Sequence, residues 1–357
     1  MKLQFDQDHM DFIRKCIAER DAVLAEKPDD IEAKYNKALM LLSIGEFTEG
    51  WPLFDIRTEL PNAIHKYSWF PVPRWDGSDI SGKHVMLWLE QGIGDQIMAM
   101  SMLGRLAEKA ASVVLLADRR FYDIVKRSFP ANVQMHRVGD HIPSRLRKWD
   151  FDCQISMSDM GQMFLRTGDD FNNKPYIKPD PALVEHFRRK YNKRPDRKLI
   201  GFSWMSANAQ CGALKSIPPA IFERLLHFGG ADFVSLQYGD NQDDLREFRK
   251  MGCDFVNDND VDPLVSLEES AAQIAAMDMV VSVSNSTVHM AGAMGVKTLV
   301  LVPVGHGRAW YWFTGYNQAP WYDSVTVCRA DDTEDWSDAI NKAYGILSQE
   351  TPIRISI

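Results

Sequence analysis

The chain is poor in the features that would assign it quickly. Its five cysteines, Cys16, Cys153, Cys211, Cys253 and Cys328, are odd in number and scattered, with no CxxC pair. That argues against a disulfide framework and against a local zinc motif. No apolar run approaches the roughly 18 residues that a membrane span requires. The opening Met1-Lys2-Leu3-Gln4-Phe5-Asp6 has no apolar core of the signal-peptide kind. Positive charge is also short: 41 Lys plus Arg against 49 Asp plus Glu give a formal net charge of -8. A nucleic-acid partner would need an electropositive face, so none is expected. The P-loop, the G-x-S-x-G elbow and His/Cys metal spacings are missing, which removes P-loop phosphate hydrolysis, esterase chemistry and zinc catalysis. What is present is an ordinary globular composition, 45% hydrophobic and 25% charged over 357 residues. That length fits two domains and a small third piece. The expectation is a cytoplasmic two-domain enzyme without a membrane span.

The first 60 residues read as helices. Phe12, Ile13, Cys16 and Ile17 recur at helical spacing, as do Tyr35, Ala38, Leu39, Leu41 and Leu42, and a third helix carries Trp51, Phe54 and Ile56. Ala38, Leu41, Gly45, Phe47, Gly50 and Phe54 resemble a tetratricopeptide repeat. Such repeats stack in units of about three or more, so this short piece is expected to dock on the rest of the chain. Residues 61–82 form a Pro- and Trp-containing connector. From His84 onward, apolar strands alternate with helices in the βαβ rhythm of a parallel sheet, and a second alternating set begins at Leu199. The basic stretch Arg188 to Lys198 reads as a solvated linker in preference to a phosphate patch. The divisions are therefore 1–60 (helical), 61–82 (connector), 83–190 and 191–330 (two Rossmann-like α/β domains), and 331–357 (last helix and tail).

Chemistry-bearing residues gather where strands turn into helices. The first turn is Glu90-Gln91-Gly92-Ile93-Gly94-Asp95. Its third fingerprint position is Ile97 instead of glycine, so a dinucleotide site is disfavoured. Asp95 is open to two roles, helix N-cap or general base. In the second set, Ser284, Asn285, Ser286 and Thr287 open a helix whose free N–H groups and dipole suit a diphosphate, with His289 one turn further on. Ser203 and Trp204, Lys215, and Gln237 lie at other strand ends or helix starts, the ligand-binding edge of open α/β sheets. Lys215 taken alone is an ordinary surface lysine. Asp150-Phe151-Asp152 imitates a metal-holding DxD but reads as a strand boundary. The aromatic stretch Arg308 to Phe313 reads as core or interface, with a minority share for stacking on sugar or base. Glu268 and Glu269 read as the acidic first turn of a helix.

In combination, Phe70 to Gly77, Glu90 to Gln96, Lys215-Ser216-Ile217-Pro218, Ser235-Leu236-Gln237, Val283 to Gly295 and Ala319-Pro320-Trp321-Tyr322 resemble bacterial tetratricopeptide-repeat proteins with a glycosyltransferase family 9, heptosyltransferase-like domain. The resemblance spans about residues 30 to 345. It implies a GT-B fold, two Rossmann-like doubly wound domains facing a cleft behind a short helical segment. It also implies an inverting hexosyl- or heptosyltransferase with no metal cofactor and a nucleotide-sugar as co-substrate. On that resemblance Asp95 is the general base, and Ser203 and Lys215 are donor-phosphate contacts. Ser284 to His289 are the segment that cradles the diphosphate. Gln91, Gly94, Gln96, Arg308 and Trp310 are candidate acceptor or donor contacts. Ser284 and Asn285 stand where the family carries Asp and Thr. The acceptor would be a glycan, a lipid-linked sugar or a protein, with the N-terminal helices a candidate protein contact. A non-catalytic scaffold that binds a protein is the alternative, and a sugar-nucleotide epimerase a third reading.

Overall fold

The protein's structure, a computed structural model, describes residues 7–60, 72–136, 151–208, 211–305, 309–313, 318–330 and 335–350. The chain divides into two compact units. One comprises Met1–Tyr176 with Ala309–Tyr316; the other comprises Ile177–Arg308 with Asn317–Ile357.

The first unit begins with helices α1 (Gln7–Glu26), α2 (Ile31–Ser43) and α3 (Phe47–Phe54), followed by a 3-10 turn at Asp55–Glu59. Asp30 caps α2, accepting from Ala33 N at 2.8 Å. The helices do dock. Trp51 is fully buried against α7 (Met157–Phe164), and its indole donates to Leu165 O at 3.0 Å. A Cβ on Gly161 would collide with that ring, so glycine is required there. The sheet of this unit contains β1 (His84–Trp88), β2 (Ser112–Leu116), β3 (Val133–His136) and β4 (Cys153–Ile155), interleaved with α4 (Ile93–Met100), α5 (Leu103–Lys109) and α6 (Tyr122–Ser128). The strands are parallel in the order β3-β2-β1-β4. Asp152 closes the start of this sheet by accepting from His84 N at 2.6 Å, the strand-boundary role; Asp150 lies outside the described residues.

The second unit runs α8 (Pro181–Tyr191), β5 (Lys198–Ser203), α9 (Gly212–Lys215), α10 (Pro219–Leu226), β6 (Ala231–Ser235), α11 (Gln242–Lys250) and β7 (Val256–Asn257). It continues with α12 (Leu267–Ala275), β8 (Met279–Val283), α13 (Ser286–Met294), β9 (Thr298–Val302), β10 (Val325–Arg329) and α14 (Ser337–Glu350). Its six parallel strands are ordered β10-β9-β8-β5-β6-β7. Residues 279–283 and 298–302 are buried throughout, as expected of strands covered on both faces. Ser266 caps α12, and Glu268 and Glu269 form its acidic first turn.

The basic stretch after Arg188 is not a solvated linker. Arg188 holds Asp278 at 3.0 Å, Lys190 holds Asp258 at 2.7 Å, and Arg194 and Arg197 converge on Asp232. Its first residues are the last turn of α8, where cations suit the helix dipole. Sequence reading by charge composition misses this because the acidic partners lie roughly 35 to 90 residues away.

Strand order locates the binding edges. In the first sheet the chain moves from β1 outward to β3 and then returns to place β4 on the other side of β1. In the second it moves from β5 to β7 and then places β8 on the other side of β5. The loops after β1 and β4, and after β5 and β8, therefore diverge and leave a crevice at the carboxyl ends of those strands. Among the described residues, no helix is long and apolar enough to cross a membrane.

Candidate functional site

In the first unit, the turn after β1 is built on an unusual backbone. Gln91 has φ +71°, a left-handed conformation rare for a residue with a side chain. The N-cap of α4 is Gly92, and Asp95 is the third residue of the helix. The N-cap role therefore passes to Gly92, and Asp95 sits as an acid in a first turn, where the dipole favours its charge. Its Oδ2 lies 3.3 Å from where a Cβ on Gly92 would stand. Glycine thus leaves the carboxylate its room.

A buried ion pair anchors this turn. Arg57, from the 3-10 turn after α3, donates through Nε to both oxygens of Glu90 at 3.0 Å, and Nη2 makes a further contact. Arg57 is 1% exposed and Glu90 3%. The guanidinium also lies over the Phe54 ring, 4.6 Å from its centroid. Gln91 Nε2 donates to Glu90 Oε2 at 3.0 Å. Gln96 donates to Gln91 O and accepts from Asp118 N, tying the turn to the end of β2. Tyr35 of α2 stacks on Phe54 with centroids 5.8 Å apart. Burial, reinforced by the negative charge of Asp95, pushes its hydroxyl up to about 12, so it remains a protonated donor. Tyr35 and Arg57 escaped sequence reasoning as site residues, because nothing in a helical periodicity marks which face will meet a later loop, in the case of Arg57 one 33 residues on. Gly94 is simply the second residue of α4. Trp310 is buried: it packs edge-on to Trp51 with centroids at 5.4 Å and lies 6.1 Å from Phe54. Its ring is spent on the helical segment. Arg308, together with Phe70 and Pro71 of the quoted motif, lies outside the described residues.

In the second unit, a chain of neutral hydrogen bonds stitches three strand ends together. Asn285 is the N-cap of α13, its Oδ1 accepting from Thr287 N at 3.0 Å and from Ser282 Oγ at 3.2 Å. Its Nδ2 donates to Ser203 Oγ at 2.8 Å and Met205 O at 3.0 Å. Ser203 in turn donates to Gln237 Oε1 at 2.8 Å, which also accepts from Trp204 N and Met205 N. Gln237 Nε2 completes the chain on Tyr238 O. Ser203, Asn285 and Gln237 are thus brought together, but at the service of one another. Trp204 belongs to the core: it is 1% exposed, stacks on Phe202, and donates from its indole to Asp244 at 2.6 Å.

The groups at this edge that are not buried are fewer. Ser286 Oγ donates to the Tyr238 hydroxyl at 3.3 Å, and both residues are half-buried, as is Lys215 at the end of α9. Ser284, Thr287 and His289 are buried. His289 Nδ1 meets the Tyr322 hydroxyl at 2.9 Å, and Gly292 is the residue whose missing Cβ admits the Tyr322 ring. Burial, reinforced by the Lys215 charge, lowers the His289 imidazole to about 3. It is neutral at physiological pH. Tyr238 was not anticipated from sequence; its signal was its place directly after the strand-end Gln237. Among the described residues, the edge offers the cation of Lys215, the hydroxyls of Ser286 and Tyr238, and a helix N-terminus of which one N–H is already capped.

No protein-family model matches the chain. Over 362 aligned residues it is 28% identical to Protein FlbA of Caulobacter vibrioides, covering 94% of this chain and 60% of that protein. The chain thus spans about three-fifths of the length of that relative. The fold is similar to that of a glycosyltransferase family 9 structure from Veillonella parvula, at TM-score 0.56 and 14% identity, covering 75% of this chain and 93% of the other. It is also similar to the ADP-heptose LPS heptosyltransferase II of E. coli, at TM-score 0.51 and 13% identity, covering 75% and 99%. The two parallel-sheet units are those of a GT-B α/β fold, preceded by helices.

Proposed function

We propose that the chain is an inverting glycosyltransferase that moves a sugar from a nucleotide-diphosphate sugar to a hydroxyl acceptor. The observation that carries this reading is the placement of a carboxylate and a cation at the switch-point edges of two sheets with a glycosyltransferase fold. Asp95 is the general base. It takes the proton of the acceptor hydroxyl as that oxygen bonds to the anomeric carbon, while the bond from that carbon to the diphosphate breaks. The departing diphosphate gains negative charge, and Lys215, Ser286 and the N-terminus of α13 supply the positive field that stabilises it. No metal is required for that role. A neutral His289 beside Lys215 leaves the lysine charge available to the phosphate. Asn285, Ser203 and Gln237 hold the edge in shape through their bonds to one another.

The donor is a nucleotide-sugar, and the neighbour's ADP-heptose makes an ADP-sugar the first to try. The acceptor is a glycan, a lipid-linked sugar or a protein hydroxyl, met in the cytoplasm. The helical segment is a tetratricopeptide-like piece built into the acceptor half-site through Arg57 and Tyr35. One observation favours the second reading, a scaffold without activity: Asn285, where the family has a Thr, has its polar atoms engaged within the protein.

Binding of ADP-, UDP-, GDP- and CMP-sugars, followed by nucleotide release in the presence of acceptor, separates the two. Asp95→Asn is expected to cut transfer by about a hundred- to ten-thousand-fold with nucleotide affinity unchanged. Near-normal turnover in that variant would leave Asp95 a helix-dipole residue. Nucleotide binding with no transfer to any acceptor would leave the scaffold.

A further inference from the structure

The opposite edge of the second sheet carries a cluster that has no part in the transfer chemistry. Glu223 and His227 are one helical turn apart at the end of α10, and Cys253 lies between α11 and β7. Chain segments between a helix end and the next strand lie at the amino ends of the strands, away from the edge where Ser203 and Asn285 sit. The His227 Nε2 is 3.5 Å from Glu223 Oε2 and 3.7 Å from Cys253 Sγ. All three donor atoms fall within 4.8 Å of one another. An i,i+4 ion pair would explain the carboxylate, but not a thiol converging on the same nitrogen.

The two separations made by the His227 nitrogen, 3.5 and 3.7 Å, are close to the edges of a coordination polyhedron, and the third stays within 4.8 Å. Tetrahedral zinc holds nitrogen and oxygen at about 2.0–2.2 Å and sulfur at about 2.3 Å, so its ligand–ligand edges run about 3.3–3.7 Å. Borderline N, O and S donors in one site suit zinc over calcium or magnesium, which take oxygen. We propose that Glu223, His227 and Cys253 form a three-ligand site for a thiophilic divalent cation, of which zinc is the best match. The fourth position faces a groove of about 700 Å³ lined by Glu223, Arg224, His227, Ile340 and Tyr344, leaving it to water or an anion.

Cys253 is buried, and the Glu223 carboxylate stands beside it. The Arg224 guanidinium lies over the Tyr344 ring, 5.7 Å from its centroid, in the same groove. When a cation binds, the Cys253 S–H gives its proton to solvent, the thiolate takes a metal bond, and the metal releases bound waters. The ion would pin the end of α10 to the segment entering β7.

Cobalt(II) is the direct probe. The full chain, stripped with chelator, is titrated with cobalt and read for the near-ultraviolet thiolate-to-cobalt band and the visible bands of tetrahedral coordination. One equivalent of cobalt should give both, and one equivalent of zinc should remove them. Cys253→Ser should abolish the thiolate band. His227→Ala, at an exposed ring whose loss leaves the fold intact by circular dichroism, should weaken affinity at least tenfold. Absence of bands in the natural sequence overturns the site. So does a thiolate band that survives Cys253→Ser, which would assign it to Cys16 or Cys211.

Discussion

The turn after β1 and the network after β5 and β8 solve one structural problem in two ways. Both hold a strand-end loop open at a switch point. The first does so with charge: a buried Arg57–Glu90 pair grips the turn from a helical segment earlier in the chain. The second uses only neutral groups, Asn285, Ser203 and Gln237, passing donor to acceptor without an ion. A buried ion pair is expensive to desolvate and is costly to break one-sidedly. A neutral network is cheaper to break, and it brings no charge of its own to the Lys215 cation nearby. The difference fits the proposed division of labour, a negative base on one side and a positive phosphate site on the other.

The largest effect should come from breaking the charged side. Arg57→Met leaves Glu90 buried and uncompensated, and should cost about 3–5 kcal/mol in denaturant unfolding. Adding Glu90→Gln to the same protein should recover a large part of the loss, which a merely bulky role for Arg57 would not allow. On the neutral side, Asn285→Ala removes a helix cap and two donated bonds, with an expected cost of about 2–3 kcal/mol. If Asn285→Ala proves the costlier of the two substitutions, the contrast between the regions fails.

The buried imidazole gives a pH test. His289 has its folded value depressed to about 3 from an unfolded 6.5, so the unfolded chain binds the extra proton. Its contribution is fully present above pH 6.5 and is lost as pH falls from 6.5 toward 3, at about 1.4 kcal/mol per pH unit. His289→Gln, which keeps a hydrogen-bonding partner for Tyr322, should flatten the unfolding free energy over that window by this amount. Equal slopes for both proteins would mean that His289 is charged inside the fold. The smallest expected effect is that of Lys215→Ala. It should weaken nucleoside-diphosphate binding about fivefold to tenfold, or about 1–1.4 kcal/mol, with unfolding unchanged.

How much of this was legible depends on range. Strands Met279–Val283 and Thr298–Val302 belong to the second alternating set that the sequence shows, because a covered parallel strand is a continuous apolar run between turns. The helical start around Asn285 and the glycine turn before Asp95 were readable for a similar reason: capping and turn residues act within four positions. Helices α7 and α8 were not placed, since their short apolar patterns fall beside connector-like sequence. Trp204 is a candidate donor contact because it follows a strand end, and Trp310 has a minority share for stacking; the fold turns both inward, which for Trp310 is the core role that its aromatic stretch predicts.

The sequence alone determined the periodic elements, the parallel-sheet class and the loops on which the charged groups stand. Each of those follows from interactions between near neighbours, whose spacing is written directly in the chain. Only the tertiary structure decided the partners. Arg57 meets Glu90 across 33 positions, Asn285 meets Ser203 across 82, and Cys253 meets His227 across 26. No spacing rule reaches that far, because such contacts are made by the packing of helices on sheets. The cysteines that looked too scattered to bind anything are scattered in sequence; packing sets one of them beside a histidine and a carboxylate.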